Sequence, residues 1–138
     1  MTAEPLEEPP RRDHFLAKLG FRDVEVEGVE LAMELPNRPD LTNLRGAIQG
    51  GLIATLIDIV AGRVAMVGLE PGVGVATADL SIHYLAPVIE GPARAQARTL
   101  RRGRRIVVVN VEVYDAATDE LAAASTISFA VLRPRAKA

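Results

Sequence analysis

NLRGAIQGGLIATLIDIVAG, residues 43–62, reads as a loop running into an almost wholly apolar helix, and that helix carries a single carboxylate, Asp58. Such a side chain can attack an electrophilic carbon, or take a proton from a water that attacks. Its ordinary structural role would be an ion pair, and on a helix the partner would stand three or four residues away. Those positions are Ala54, Thr55, Ala61 and Gly62, none of them cationic. A carboxylate with no local partner among small and apolar residues marks a candidate functional site.

The residues before Asp58 supply a complementary chemistry. Gly50 and Gly51 suit a tight loop-to-helix turn. A helix start also leaves N–H groups free, here with no side chain in the way, to polarise a carbonyl or hold an oxyanion. Asn43 is a turn former that can also orient this loop or bind a ligand. Gln49 donates and accepts hydrogen bonds but does not titrate. Thr77, on a later strand, is either an ordinary β-branched strand residue or a hydroxyl that steadies Asp58 or holds a water. The basic cluster RRGRR contains Arg101, Arg102, Arg104 and Arg105. Most of it reads as a solvated hairpin tip.

Other chemistries are disfavoured. Without cysteine there is no thiol nucleophile, thiolate metal site or disulfide. His14 and His83 sit in no metal-ligand spacing, and no G-x-S-x-G elbow is present. Neither a metal nor a cofactor is expected. A net charge of −2 gives no general attraction to nucleic acid or membrane, and the arginine cluster lacks interleaved aromatics. The apolar run contains Asp58 and Arg63, which argues against a membrane span. MTAEPLEEPPRRD has no apolar h-region, so the expected location is the cytoplasm.

These groups must be held by folded elements. Residues 1–12 read as a disordered tail, rich in proline and acids, and residues 13–135 as one domain. RDHFLAKLGF suggests a short helix closed by Gly20. FRDVEVEGVELAMELP alternates around a Glu27-Gly28 turn and predicts a β-hairpin, followed by a loop at NRPDLTN. From Gly50 to about Gly68 the period becomes helical: Ile53, Ile57, Val60 and Val64 form one stripe, flanked by Leu52 and Leu56. Ala54, Asp58, Ala61, Gly62 and Ala65 form an opposite stripe of small residues. The rest reads as about four strands. In the first, Ala76, Ala78, Leu80, Ile82 and Tyr84 alternate against Thr77, Asp79, Ser81 and His83. Hairpins are expected at RRGRR and DAATDE. One helix can cover one face of a strongly curved antiparallel sheet, leaving edges for which a second copy is the simplest partner.

This order resembles the hotdog fold, an α+β architecture with a curved antiparallel sheet of five to six strands wrapped around one long central helix. The helix region is similar to the acyl-CoA thioesterases of the phenylacetate-pathway type. Their pattern is an Asn, six residues later His-Gly-Gly, then an Asp eight residues after the first Gly; here stand Asn43, Gln49-Gly50-Gly51 and Asp58. A second pattern, T-x-D-L-x-I-x-Y-L-x-P, is matched by Thr77, Asp79, Leu80, Ile82, Tyr84, Leu85 and Pro87. Gly91 and RRGRR also fall at family positions, and the likeness covers roughly residues 14–133. Gln49 stands where the family has His, a residue that supports the loop and substrate carbonyl region there.

The resemblance implies hydrolysis of an acyl- or aryl-acyl-CoA. Gly50 N–H would polarise the thioester carbonyl, Asp58 would act as nucleophile or general base, and Thr77 would assist. Asn43, Gln49 and Gly51 would line the substrate site. Among Arg101, Arg102 and Arg104, one or two would meet the phosphates of coenzyme A. Eight helical residues span about 12 Å, too far for Gly50 and Asp58 of one chain to flank one carbonyl. The site would therefore require a homodimer, which in the family is often doubled into a homotetramer. Two other functions remain open. Related hydratases place a His five residues after the helix Asp, where this chain has Arg63. A non-catalytic acyl-CoA-binding module of this fold is the other.

Overall fold

The computed structural model describes residues 14–135. The proposed tail lies outside them. A 3-10 turn at Phe15–Lys18 occupies the place of the expected short helix. Gly20 follows with φ +80°, a left-handed conformation suited to glycine. Strands β1 (Arg22–Val24) and β2 (Leu31–Leu35) form the expected hairpin, with Arg22 opposite Glu34. The NRPDLTN segment is not wholly loop: Pro39–Leu41 make one 3-10 turn, with Pro39 pre-set for its first position.

The central helix, α1, runs Gly50–Met66. It ends two residues before the expected Gly68, where Val67 turns extended and Gly68 takes φ +78°. Four strands follow: β3 (Gly74–Tyr84), β4 (Ala93–Arg102), β5 (Ile106–Asp115) and β6 (Leu121–Leu132). The hairpins at RRGRR and DAATDE join β4 to β5 and β5 to β6, as their turn residues predict. All six strands form one antiparallel sheet in the order β1-β2-β4-β5-β6-β3.

The core lies between α1 and one face of this sheet. Ile53, Leu56, Ile57, Val60 and Val64 are buried on the helix side. On the sheet side, Val107, Val109, Val111 and Val113 are fully buried, each contributing about 1.5–3 kcal/mol. Ala93, Ala95 and Ala97 are also fully buried, and β4 is the strand against which α1 packs most extensively. Side chains that end at Cβ let the helix approach there. One expectation needs correcting: Ala61 and Ala65 do not lie on a stripe opposite the buried one, because both are fully buried with it. The accessible line on α1 is Ala54, Asp58 and Gly62, at i, i+4 spacing.

β3 is the sheet edge opposite β1, and it carries a bulge. Thr77 pairs with Phe129 and Asp79 with Ser128, leaving Ala78 without a partner. An extra residue reverses the in–out phase. Val75 and Thr77 before it, and Leu80, Ile82 and Tyr84 after it, therefore all meet the helix side. The simple alternation, which set Thr77 against Leu80, Ile82 and Tyr84, fails at this point.

Candidate active site

Asp58 sits half-buried in the middle of α1, at the turn where the helix faces β3. Its Oδ1 accepts a hydrogen bond from Thr77 Oγ1 at 2.7 Å. Among the described residues no cation pairs with Asp58, and Oδ2 has no hydrogen-bond partner. Space opens on both sides of the carboxylate. A groove of about 340 Å³ is lined by Ala54, Thr55, Asp58, Thr77 and Leu80. A second, of about 480 Å³, also reaches Asp58 and Thr77 and is walled by Ile59, Gly62, Met66, Val75 and Phe129.

Arg63 also lines the larger groove. It turns from Asp58 toward the first hairpin, where its guanidinium forks onto Asp23, with Nη1 to Oδ1 at 2.5 Å and Nη2 to Oδ2 at 2.9 Å. Hydrogen bonding from Arg63 holds the Asp23 carboxyl below its ordinary range, against a smaller opposing effect of desolvation.

The start of α1 forms a separate region. Gln49 is the residue before the helix; its C=O accepts from Leu52 and Ile53 N–H at 3.0 and 3.1 Å. Gly50 and Gly51 N–H have no acceptor among the described residues, as the first turn of a helix requires. Asn43 shapes the approach: its Oδ1 accepts from Arg45 N–H at 2.9 Å and Ala47 N–H at 3.2 Å, closing the 43–47 loop. Gln49 Nε2 reaches the Thr42 carbonyl at 3.4 Å, and its side chain is exposed. A cavity of about 330 Å³ at this end is bounded by Asn43, Ile48, Gly50, Tyr84, Pro87 and Val88.

The structure brings a further residue, Tyr84, to this end of the helix, which its place in an alternating strand does not single out. Its hydroxyl donates to the Gly50 carbonyl at 2.6 Å, and its ring lies beside Gly50. The signal was present in the spacing from Leu80 through Ile82 to Tyr84. The bulge that turns Thr77 to the same side was not.

Asn43, Gly50 and Tyr84 thus gather at one end of α1, and Asp58 and Thr77 at its middle. About 12 Å of helix separates the two groups, and the cavities at the helix start and at its middle, as lined by the described residues, are distinct. The arginines divide. Arg102 is engaged: its Nη1 and Nη2 donate to the Ala65 and Val64 carbonyls at 2.9 and 2.8 Å, capping the negative end of α1. Arg101 and Arg104 are exposed at the hairpin tip.

A six-stranded antiparallel sheet packed on one central helix, with a glycine pair opening that helix and an aspartate inside it, is a hotdog fold. The Thioesterase superfamily model matches residues 45–122, more than half the chain. The protein belongs to the thioesterase superfamily. A Saccharolobus solfataricus protein named as a candidate esterase is 31% identical over 121 residues, spanning 86% of this chain and 85% of its own. A Bacillus halodurans protein, crystallised with CoA, is 34% identical at TM-score 0.70, covering 73% of this chain and 66% of that one. A Ralstonia eutropha protein described as phenylacetic acid degradation-related is 27% identical at TM-score 0.73, covering 83% and 86%. No helix among the described residues is long and apolar enough to cross a membrane.

Proposed function

We propose that this protein hydrolyses an acyl- or aryl-acyl-CoA thioester in a site completed by two copies of the chain. The observation that carries the reading is the state of Asp58: one oxygen is held by Thr77, the other has no partner among the described residues, and the side chain lines two open grooves. Superfamily membership and a CoA-bound relative support the substrate class. The Ralstonia relative supports an arylacetyl group among the candidates.

The thioester carbonyl oxygen would lie against Gly50 N–H of one chain, where the positive end of α1 favours developing negative charge. Asp58 of the other chain would act at the carbonyl carbon. As general base it takes a proton from water while the water oxygen bonds to carbon. The C–S bond then breaks and the thiolate leaves as CoA thiol after gaining a proton. As nucleophile it bonds to the carbon itself, CoA leaves, and water opens the resulting anhydride. Joining two copies beside the β3 edge would bring the accessible Ala54, Asp58 and Gly62 line of one α1 toward the helix start of the other. Gly51, Gln49 and Asn43 would shape the substrate loop. Arg101 and Arg104 are available for CoA phosphates, whereas Arg102 already serves the end of α1. A hydratase reading is disfavoured because the position five residues after Asp58 holds Arg63, which is engaged by Asp23.

The test is CoA-thiol release across a panel of acyl-CoAs by wild type and Asp58→Asn, with oligomeric state measured at the assay concentration. Wild type should turn over at least one substrate as an oligomer, and Asp58→Asn should lose that turnover. Equal, slow release by both on every substrate would leave only an acyl-CoA-binding role. Full activity from a monomer would refute the shared site.

A further inference from the structure

The contact at the start of α1 carries an inference that rests on the thioesterase reading. We infer that Tyr84 is a positioning residue for the carbonyl-binding end of the helix, acting through the peptide unit between Gly50 and Gly51.

That unit has two polar ends. Its C=O, on Gly50, accepts the Tyr84 hydroxyl at 2.6 Å. Its N–H, on Gly51, has no acceptor among the described residues and opens the helix beside the Gly50 N–H. Resonance links the two ends. A donor at the carbonyl oxygen draws charge from the nitrogen, so the N–H at the other end becomes a stronger donor. The Tyr84 bond therefore strengthens the Gly51 N–H as a second group for an oxyanion, next to Gly50.

The same contact fixes orientation. Two successive glycines give the backbone unusual freedom, which would blur the aim of their N–H groups. The ring limits that freedom. A methyl on Gly50 would stand 3.5 Å from both Cε1 and Cζ of Tyr84, so ring and backbone are already in contact. Tyr84 is 55% exposed, yet its hydroxyl is committed to a short backbone bond. Desolvation pushes the phenol pKa up, so the group remains a donor through the ordinary pH range. The same cavity reaches Ile48, Gly50 and Tyr84, so a carbonyl entering there meets the assembled unit.

A purely structural tie between β3 and α1 would also show this bond, so the test must read polarisation. Tyr84→Phe keeps the ring and removes only the hydroxyl. It should lower kcat roughly tenfold while KM stays within about twofold. Phenylacetyl-CoA labelled with ¹³C at the carbonyl, bound to Asp58→Asn, should show a C=O stretch shifted to lower frequency. In Asp58→Asn/Tyr84→Phe that stretch should move back toward its value in water. In the free protein, the Gly51 amide proton should shift upfield on Tyr84→Phe.

Wild-type kcat with an unchanged stretch and Gly51 amide would overturn the inference and leave the thioesterase reading intact. If wild type releases CoA from no acyl-CoA, that reading fails on its own. The Gly51 amide then decides: a shift supports the coupling, and no shift overturns it.

Discussion

Two aspartates divide the molecule. Asp115 ends β5, and its carboxylate is saturated by backbone. Oδ1 accepts from Gly91 N–H at 2.9 Å and Ala117 N–H at 3.0 Å; Oδ2 accepts from Glu90 and Ile89 N–H at 3.1 and 3.3 Å. It is 4% exposed. Asp58, in the centre of α1, has one hydroxyl donor and open space in front of it. The same side chain is spent on architecture at one place and left available at the other. The residues around Asp115 are fitted to it: a methyl on Gly91 would run into the backbone nitrogen of Ala117 and stand 2.8 Å from Asp115 Oδ1. Gly91 is thus kept by lack of space, whereas Gly50 and Gly51 present N–H groups that have no acceptor among the described residues.

The contrast breaks most readily at Asp58. Asp58→Asn keeps the shape and removes the proposed base or nucleophile, so kcat/KM should fall about 10²–10⁴-fold. Because no ion pair among the described residues is lost, the denaturation midpoint should stay close to that of wild type. Asp115→Ala should do the reverse. It strands four backbone donors and should cost about 3 kcal/mol of stability, read from denaturant curves at one protein concentration. An Asp115→Ala protein as stable as wild type would erase the distinction.

Much of this was legible in the sequence, and what was not has physical causes. Helical spacing from Ile53 to Val64 marked α1, and the turn residues of RRGRR and DAATDE marked both later hairpins, because these signals are local. The pairing of Thr77 with Asp58 was one of two readings of Thr77. Strict alternation argued against the face it actually occupies, because a bulge such as Ala78 has no composition of its own here. Ala61 and Ala65 fit the small-residue stripe in the sequence, since alanine suits either side of a helix; in the fold both are fully buried in the core, as are the alanines of β4. In the sequence Arg102 is one of four arginines in a basic cluster. Which arginine caps the helix depends on strand register and on a second bulge between Thr99 and Arg101. The Asp115 turn was hidden because its four partners are backbone groups, which every sequence supplies alike.

Thr77 gives a finer comparison, since it is the one donor that Asp58 has among the described residues. Thr77→Val preserves the β-branched shape and removes the hydroxyl. Loss of the bond that steadies the carboxylate should lower kcat roughly tenfold and, at this solvent-exposed contact, cost about 1 kcal/mol of stability or less. A fall as large as that of Asp58→Asn would mean that Thr77 takes part in the chemistry rather than steadying the carboxylate. No fall would reduce the contact to packing.

The smallest expected effect is in the acid limb of stability. At Asp115, burial pushes the carboxyl pKa upward, but the backbone N–H bonds from Ala117, Glu90, Gly91 and Ile89 together outweigh it and leave it below its ordinary range. A carboxyl that binds its proton less tightly when folded stabilises the fold above its unfolded pKa, near 4. That contribution is lost as pH falls through the lower, folded value. Stability of wild type should therefore drop below about pH 4 more steeply than that of Asp115→Asn. Asp23 and Asp40, also held low by hydrogen bonds from Arg63 and Arg38, are present in both proteins and cancel in the difference. Parallel acid limbs would show that the Asp115 carboxylate gains nothing as an anion from its four donors, and the saturated half of the comparison would fall.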